Sequence, residues 1–353
     1  MQIKRWMAIL SCALLAAACA APPVPPEGTL SSPVALPTGT LKVALSRDVE
    51  DRILALDPEN ITAMDVRETL SRAPAPRVIL LHGGVFPVYL AMSSFAKFMV
   101  GMGYPLERIR DPGDGSWSHS PYEPSERVAG SIAWYYEQDG LRPMLIGHSQ
   151  GGMQVSKVLH DLAGTFGTQV QVWNPLTDQR EERTTISDPF TGLPQPVIGT
   201  KVSYASAVGA GGPSGVLPNQ WGVIGRLRDI PNTVVQFNGY FIGIDWFAMT
   251  FAAVGGERYR SDSASVQIRN VVLPAGYLHV SVPVTGHLPD DPELRRLIDE
   301  YRPTTEKPDE ATMPGTYSDN FYYAADNWHA VKKHWALETQ RLVKARRAAA
   351  PPK

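Results

Sequence analysis

The run Met144-Leu145-Ile146-Gly147-His148-Ser149-Gln150-Gly151-Gly152 joins an apolar stretch to a helical pattern with Met153, Val155, Val158 and Leu159 at its apolar positions. The first three residues read as strand and the residues from about Gln150 as helix, so Ser149 falls in the turn between them. Small residues at Gly147 and Gly151 let the backbone turn sharply without Cβ clashes. The hydroxyl is then presented at the carboxyl end of a strand and above a helix N-terminus, where developing negative charge is favoured. A serine nucleophile needs that placement. Gly-x-Ser-x-Gly alone carries little weight, its plain alternative being a glycine-rich turn; the flanking strand and helix give it meaning.

Other chemistries find less support. The only cysteines, Cys12 and Cys19, lie close to the start of the chain, leaving the body without a thiol for a disulfide, for zinc or for nucleophilic attack. His329 and His334 are five residues apart and no His-Glu-x-x-His run occurs, so zinc catalysis lacks its helical spacing. Neither a metal nor a cofactor is expected. A net charge of −2, with 33 basic and 35 acidic side chains spread along the chain, gives no footprint for nucleic acid.

The elements that must position Ser149 follow from the patterning. With 353 residues, 43% of them apolar, the chain can bury a full core. "RVILLHGGVF" begins as an apolar run bounded by turn residues, the signature of a strand covered on both faces. A helix at "AMSSFAKFMVGM", a short strand near "ERIRD", a helix at "SERVAGSIAWYYEQ", the strand "PMLIG" and the helix after Ser149 follow in alternation. "TKVSYASAVGAG", "NTVVQFNGYFI" and "YLHVSVPVTG" supply three further strands, and "DPELRRLIDEY" a helix with Asp291 at its start. The expected class is α/β, a mostly parallel central sheet flanked by helices. Residues 46–353 form one domain, in which 177–196 is a polar insertion or cap loop and 302–353 a C-terminal helical extension.

The motifs "LIGHSQGGM" and, earlier in the chain, "VILLHGG" resemble those of the α/β-hydrolase superfamily, specifically its esterase and lipase branches, over roughly Arg77 to Tyr301. The resemblance implies a serine nucleophile followed in chain order by an acid and a histidine. It places the oxyanion-hole donors on the amides of Gln150, directly after the nucleophile, and of Gly84 in the His82-Gly83-Gly84 loop. His82 braces that loop in such proteins, and His148 inside the elbow points away from proton transfer. For the acid, the resemblance asks for a carboxylate after a late strand, and Asp245 stands almost alone in the apolar stretch "TVVQFNGYFIGIDWFAM". A buried carboxylate there needs a partner, and orienting the base would supply one; the plain alternative is a capping aspartate. For the base, Gly286-His287 ends the run "YLHVSVPVTG" ahead of a helix, which selects His287, with His329 at the opening of the final helix as its rival. His279, inside that run, reads as an ordinary strand residue, and His119 and His160 have no supporting context.

The first residues carry a processing signal over 1–18, with Lys4 and Arg5 ahead of an apolar run from Trp6 to Ala18 that is too short to span a membrane. "LLAAACA", Leu14 to Ala20, resembles the lipobox of bacterial lipoproteins, which makes Cys19 the lipidated first residue; ordinary secretion with cleavage at Ala18-Cys19-Ala20 is the alternative. Residues 19–45, rich in Pro, Ser, Thr and Gly, read as a flexible spacer. Taken with the resemblance, these features predict an ester hydrolase of the bacterial envelope, held to the membrane by a lipid and acting on apolar or medium-sized small-molecule esters. A thioesterase or amidase on the same fold, and a non-catalytic binding lipoprotein, are the rival readings.

Overall fold

A computed structural model describes residues 45–167, 169–212, 215, 217–248, 250–251, 258–274, 276–303 and 320–349. The processing signal, Cys19 and the spacer up to residue 44 lie outside the described residues.

Five strands, β1 (Val78–Leu81), β2 (Met144–His148), β3 (Val202–Val208), β4 (Val234–Phe241) and β5 (Gln267–Val272), pair in chain order, every neighbouring pair parallel. Parallel strands need long crossovers, and the helices that make them cover both faces. β1, β2 and β3 are accordingly buried at every residue. On one face Val78, Leu80, Met144, Ile146, Tyr204 and Tyr240 pack against α3 (Phe86–Gly101) and the long α7 (Phe321–Ala349). On the other, Ile79, Leu81, Leu145, Ala205 and Phe237 pack against α4 (Ser125–Asp139) and α5 (Gln150–Leu162). The period-2 alternation of the strands thus divides the core into two halves.

The remaining helices start where their capping residues predict. Ser46 caps α1 (Arg47–Ala55), Thr62 and Asp65 form a reciprocal capping box on α2 (Ala63–Glu68), and Asp291 accepts from the amides of Glu293 and Leu294 at the head of α6 (Pro292–Glu300).

Two expected strands are not strands. Glu107–Asp111 contributes to a short helical turn, Leu106–Arg108, and then to bends. Tyr277–Gly286 is a series of turns, with the amides of Ser281 and Val282 both bonded to Leu278 O. Pro274 precedes that stretch and Pro283 interrupts it, and a proline offers a ladder no N–H. The last strand is instead Gln267–Val272, an edge strand whose polar, partly exposed side chains hide it from an apolar reading.

Within and just before 177–196, two small antiparallel ribbons form, Trp173–Asn174 with Gln179–Arg180 and Thr185–Ser187 with Pro194–Pro196. They lean on α4, where the Arg183 guanidinium grips Glu137 at 2.6 and 2.7 Å. α7 lies in the core and is not an appendage: Trp328 and Trp335 are fully buried, and Trp335 Nε1 donates to Pro74 O. Among the described residues no helix is long and apolar enough to cross a membrane.

Candidate active site

The sharp turn after β2 is present. Ser149 has φ 57° and ψ −124°, a region that an L-residue occupies only under strain. Its amide bonds Val208 O at the end of β3, and α5 starts at the next residue. The flanking glycines are sterically required: a Cβ on Gly147 would strike Gly151 and stand 2.6 Å from Val155 Cγ2, and one on Gly151 would strike the carbonyls of Leu81 and His82. The turn is therefore wedged against the end of β1, with the Ser149 side chain left partly exposed.

The ring facing Ser149 belongs to His279. Its Nε2 is 2.8 Å from Ser149 Oγ and its Nδ1 is 2.7 Å from Asp245 Oδ2. A carboxylate only accepts, so Nδ1 carries the proton and Nε2 is free to accept from the serine hydroxyl. The expected acid, Asp245, is thus in contact with a histidine, four residues beyond β4 and with its side chain wholly buried. Its second oxygen accepts from the amides of Phe247 and Ala248 at 3.0 and 2.9 Å, which fixes the carboxylate plane. Gly209, with φ 60°, makes room for the pair, since a Cβ there would stand 2.9 Å from the imidazole.

The histidines selected from the sequence lie elsewhere. His287 is exposed, at the start of the short turn Leu288–Asp290, and its ring makes no hydrogen bond to Ser149 or Asp245. His329 is buried in α7, its Nε2 directed to Glu59 O at 3.3 Å. The correction follows from the strand assignment. With Gln267–Val272 as the last strand, the loop after it contains His279, seven residues on; taking Tyr277–Gly286 as that strand pushed the choice to His287. Pro283, which breaks the run, is the available signal.

His148 does point away from the hydroxyl. Its Nε2 donates to the backbone carbonyl of His279 at 2.7 Å, so it steadies the loop that carries that ring. Burial, reinforced by the neighbouring His279, pushes its pKa down to about 3. It therefore stays neutral, and no second cation arises when the adjacent imidazole, 5.1 Å away, takes a proton.

The His82-Gly83-Gly84 loop lies directly on Ser149. A Cβ on Gly83 would be 3.0 Å from Ser149 Cβ and 3.3 Å from its Oγ, and one on Gly84 would collide with the Gln150 side chain. Both residues expected to supply oxyanion donors, Gly84 and Gln150, are thus packed on each other beside the serine. His82 braces the loop through Nδ1 to Ser118 Oγ at 3.0 Å, and burial holds its pKa down at about 4. Among the described residues no group of His, Cys, Asp and Glu is arranged to hold a metal ion. The chain matches no protein family and no curated protein.

Proposed function

We propose that the chain is a serine hydrolase of the α/β-hydrolase superfamily that cleaves carboxylic esters through an acyl-enzyme. One observation carries this reading: Ser149, His279 and Asp245, from three loops far apart in sequence, meet in one hydrogen-bonded line at the carboxyl edge of a parallel sheet. His279 takes the Ser149 proton as Oγ attacks the ester carbonyl, and Asp245 balances the imidazolium. Backbone amides of Gln150 and of the Gly84 loop, with the N-terminus of α5, stabilise the oxyanion. The proton passes from His279 to the leaving alcohol, and a water activated by the same ring then releases the acid.

The surroundings favour apolar esters. The stretches 83–96, 239–251 and 271–286 contain no charged side chain apart from Asp245 and His279. They expose Phe86, Leu90, Trp246, Phe247, Leu278 and Val280, and the Phe247 ring stacks on His279 at 5.3 Å. Exposed apolar side chains on the loops that carry the reactive groups suit an acyl chain. Export and attachment through Cys19 belong to the same proposal and place the enzyme in the bacterial envelope. The test is hydrolysis of p-nitrophenyl esters by the purified protein. Ser149→Ala abolishes turnover while the melting temperature stays close to that of the parent, and equal activity in the two proteins refutes the reading.

A further inference from the structure

A loop that stabilises an oxyanion must hold still, because its donors are useful only where the negative charge develops. The Gly83-Gly84 stretch has no ladder of its own, and two adjacent glycines have wide conformational freedom. One short segment, Ser118–Tyr122, pins it at both ends. At the near end His82 N donates to His119 O at 3.1 Å, His119 N donates to Leu80 O at 2.8 Å, and the His82 ring meets Ser118 Oγ. At the far end the Tyr122 hydroxyl donates to Gly84 O at 2.9 Å. Gly83, the residue in contact with Ser149, is suspended between the pins.

The segment is itself braced. The His119 ring lies 3.6 Å from Asp111 Oδ2 and 3.4 Å from Glu123 Oε2, Glu123 also meets Arg127 at 3.2 Å, and Ser120 Oγ accepts from Tyr122 N. Nothing in the sequence pattern marks these residues; only the structure brings them to the loop.

We propose that Tyr122, with Ser118, is a positioning device for the oxyanion loop. This rests on the reading of Ser149 as the nucleophile. The bond from Tyr122 to Gly84 O fixes the plane of the Gly84–Val85 peptide and so, with His82 anchored at the other end, limits rotation about the Gly84 backbone and holds the Gly84 N–H in its direction. Its contribution falls in the transition state and not in substrate binding.

The test compares Tyr122→Phe with the parent in p-nitrophenyl ester hydrolysis, in affinity for a trifluoromethyl ketone, and in amide exchange of residues 83–85. The expected result is a fall in kcat of about tenfold with KM changed by less than about twofold. Ketone affinity falls by the same factor as kcat/KM, and the amides exchange faster. Ser118→Ala moves kcat in the same direction, and Ser118→Thr, which keeps the hydroxyl, restores it. Parental kcat/KM in Tyr122→Phe overturns the proposal, as does a change confined to KM, which makes Tyr122 a wall of the pocket. Unchanged amide exchange overturns the clamp whether or not esters are cleaved. A parent protein that neither cleaves esters nor reacts with a fluorophosphonate refutes the hydrolase reading itself.

Discussion

At the scale of single residues, the site depends on small shapes in tight places. Ser149 keeps a strained backbone because the turn is wedged by Gly147 and Gly151 and tied to Val208 O. Those constraints are local in sequence, so the serine was legible from its neighbours. Asp245 was legible for a different reason: a carboxylate between Ile244 and Trp246 needs a partner, and it has three, the His279 ring and two backbone amides. The histidine was not legible in this way. Its identity depends on which run forms the last strand, and the apolar Tyr277–Gly286 misled where the half-polar Gln267–Val272 paired. Tyr122 and Ser118 left no local trace, since their role is set by contacts with residues some 36 to 38 positions away.

At the scale of elements, short apolar runs marked β1 and β2, whereas β3 and β4 were legible as strands although they carry buried Ser203, Ser206, Gln236 and Asn238. The final helix was expected as an extension from its amphipathic pattern, but that pattern did not show which surface it would meet. In the fold it closes one face of the sheet through polar as well as apolar contacts. Asn327 Oδ1 accepts from the hydroxyls of Tyr204 and Ser206, and Asp326 bonds Arg269 and Tyr240. Glu338, fully buried, accepts from Arg142 N, Nε and Nη2 at 2.9, 2.8 and 2.5 Å. Glu338→Ala removes the partner of two cations, Arg142 and Arg341, and of a backbone amide together, and is expected to lower unfolding stability by about 3 kcal/mol. Urea titration of the variant measures it; a loss below about 0.5 kcal/mol would show that water replaces the carboxylate without cost.

At the scale of the whole molecule, burial of neutral histidines links the fold to pH. His148 and His334 are buried, and desolvation pushes both pKa values down to about 3. The unfolded chain takes up these protons near pH 6.5, whereas the native state does not. Stability is therefore full above that pH and is lost as pH falls toward 3. Asp161 works the other way: burial raises its pKa to about 7, so its contribution is present below about pH 4 and lost as pH rises to 7. His82, held at about 4, acts with His148 and His334, so these histidines outweigh Asp161 and stability falls between about pH 6 and 4. Denaturant midpoints at pH 7 and 4.5 check the sign, with the lower midpoint expected at 4.5.

Activation of Ser149 by the His279 ring is read out by the rate of fluorophosphonate labelling. The parent protein and His287→Ala are expected to be modified at Ser149 at similar rates, whereas His279→Ala reacts slower by about a thousandfold or more. Labelling of His279→Ala at the parental rate, or its loss in His287→Ala, would contradict the account.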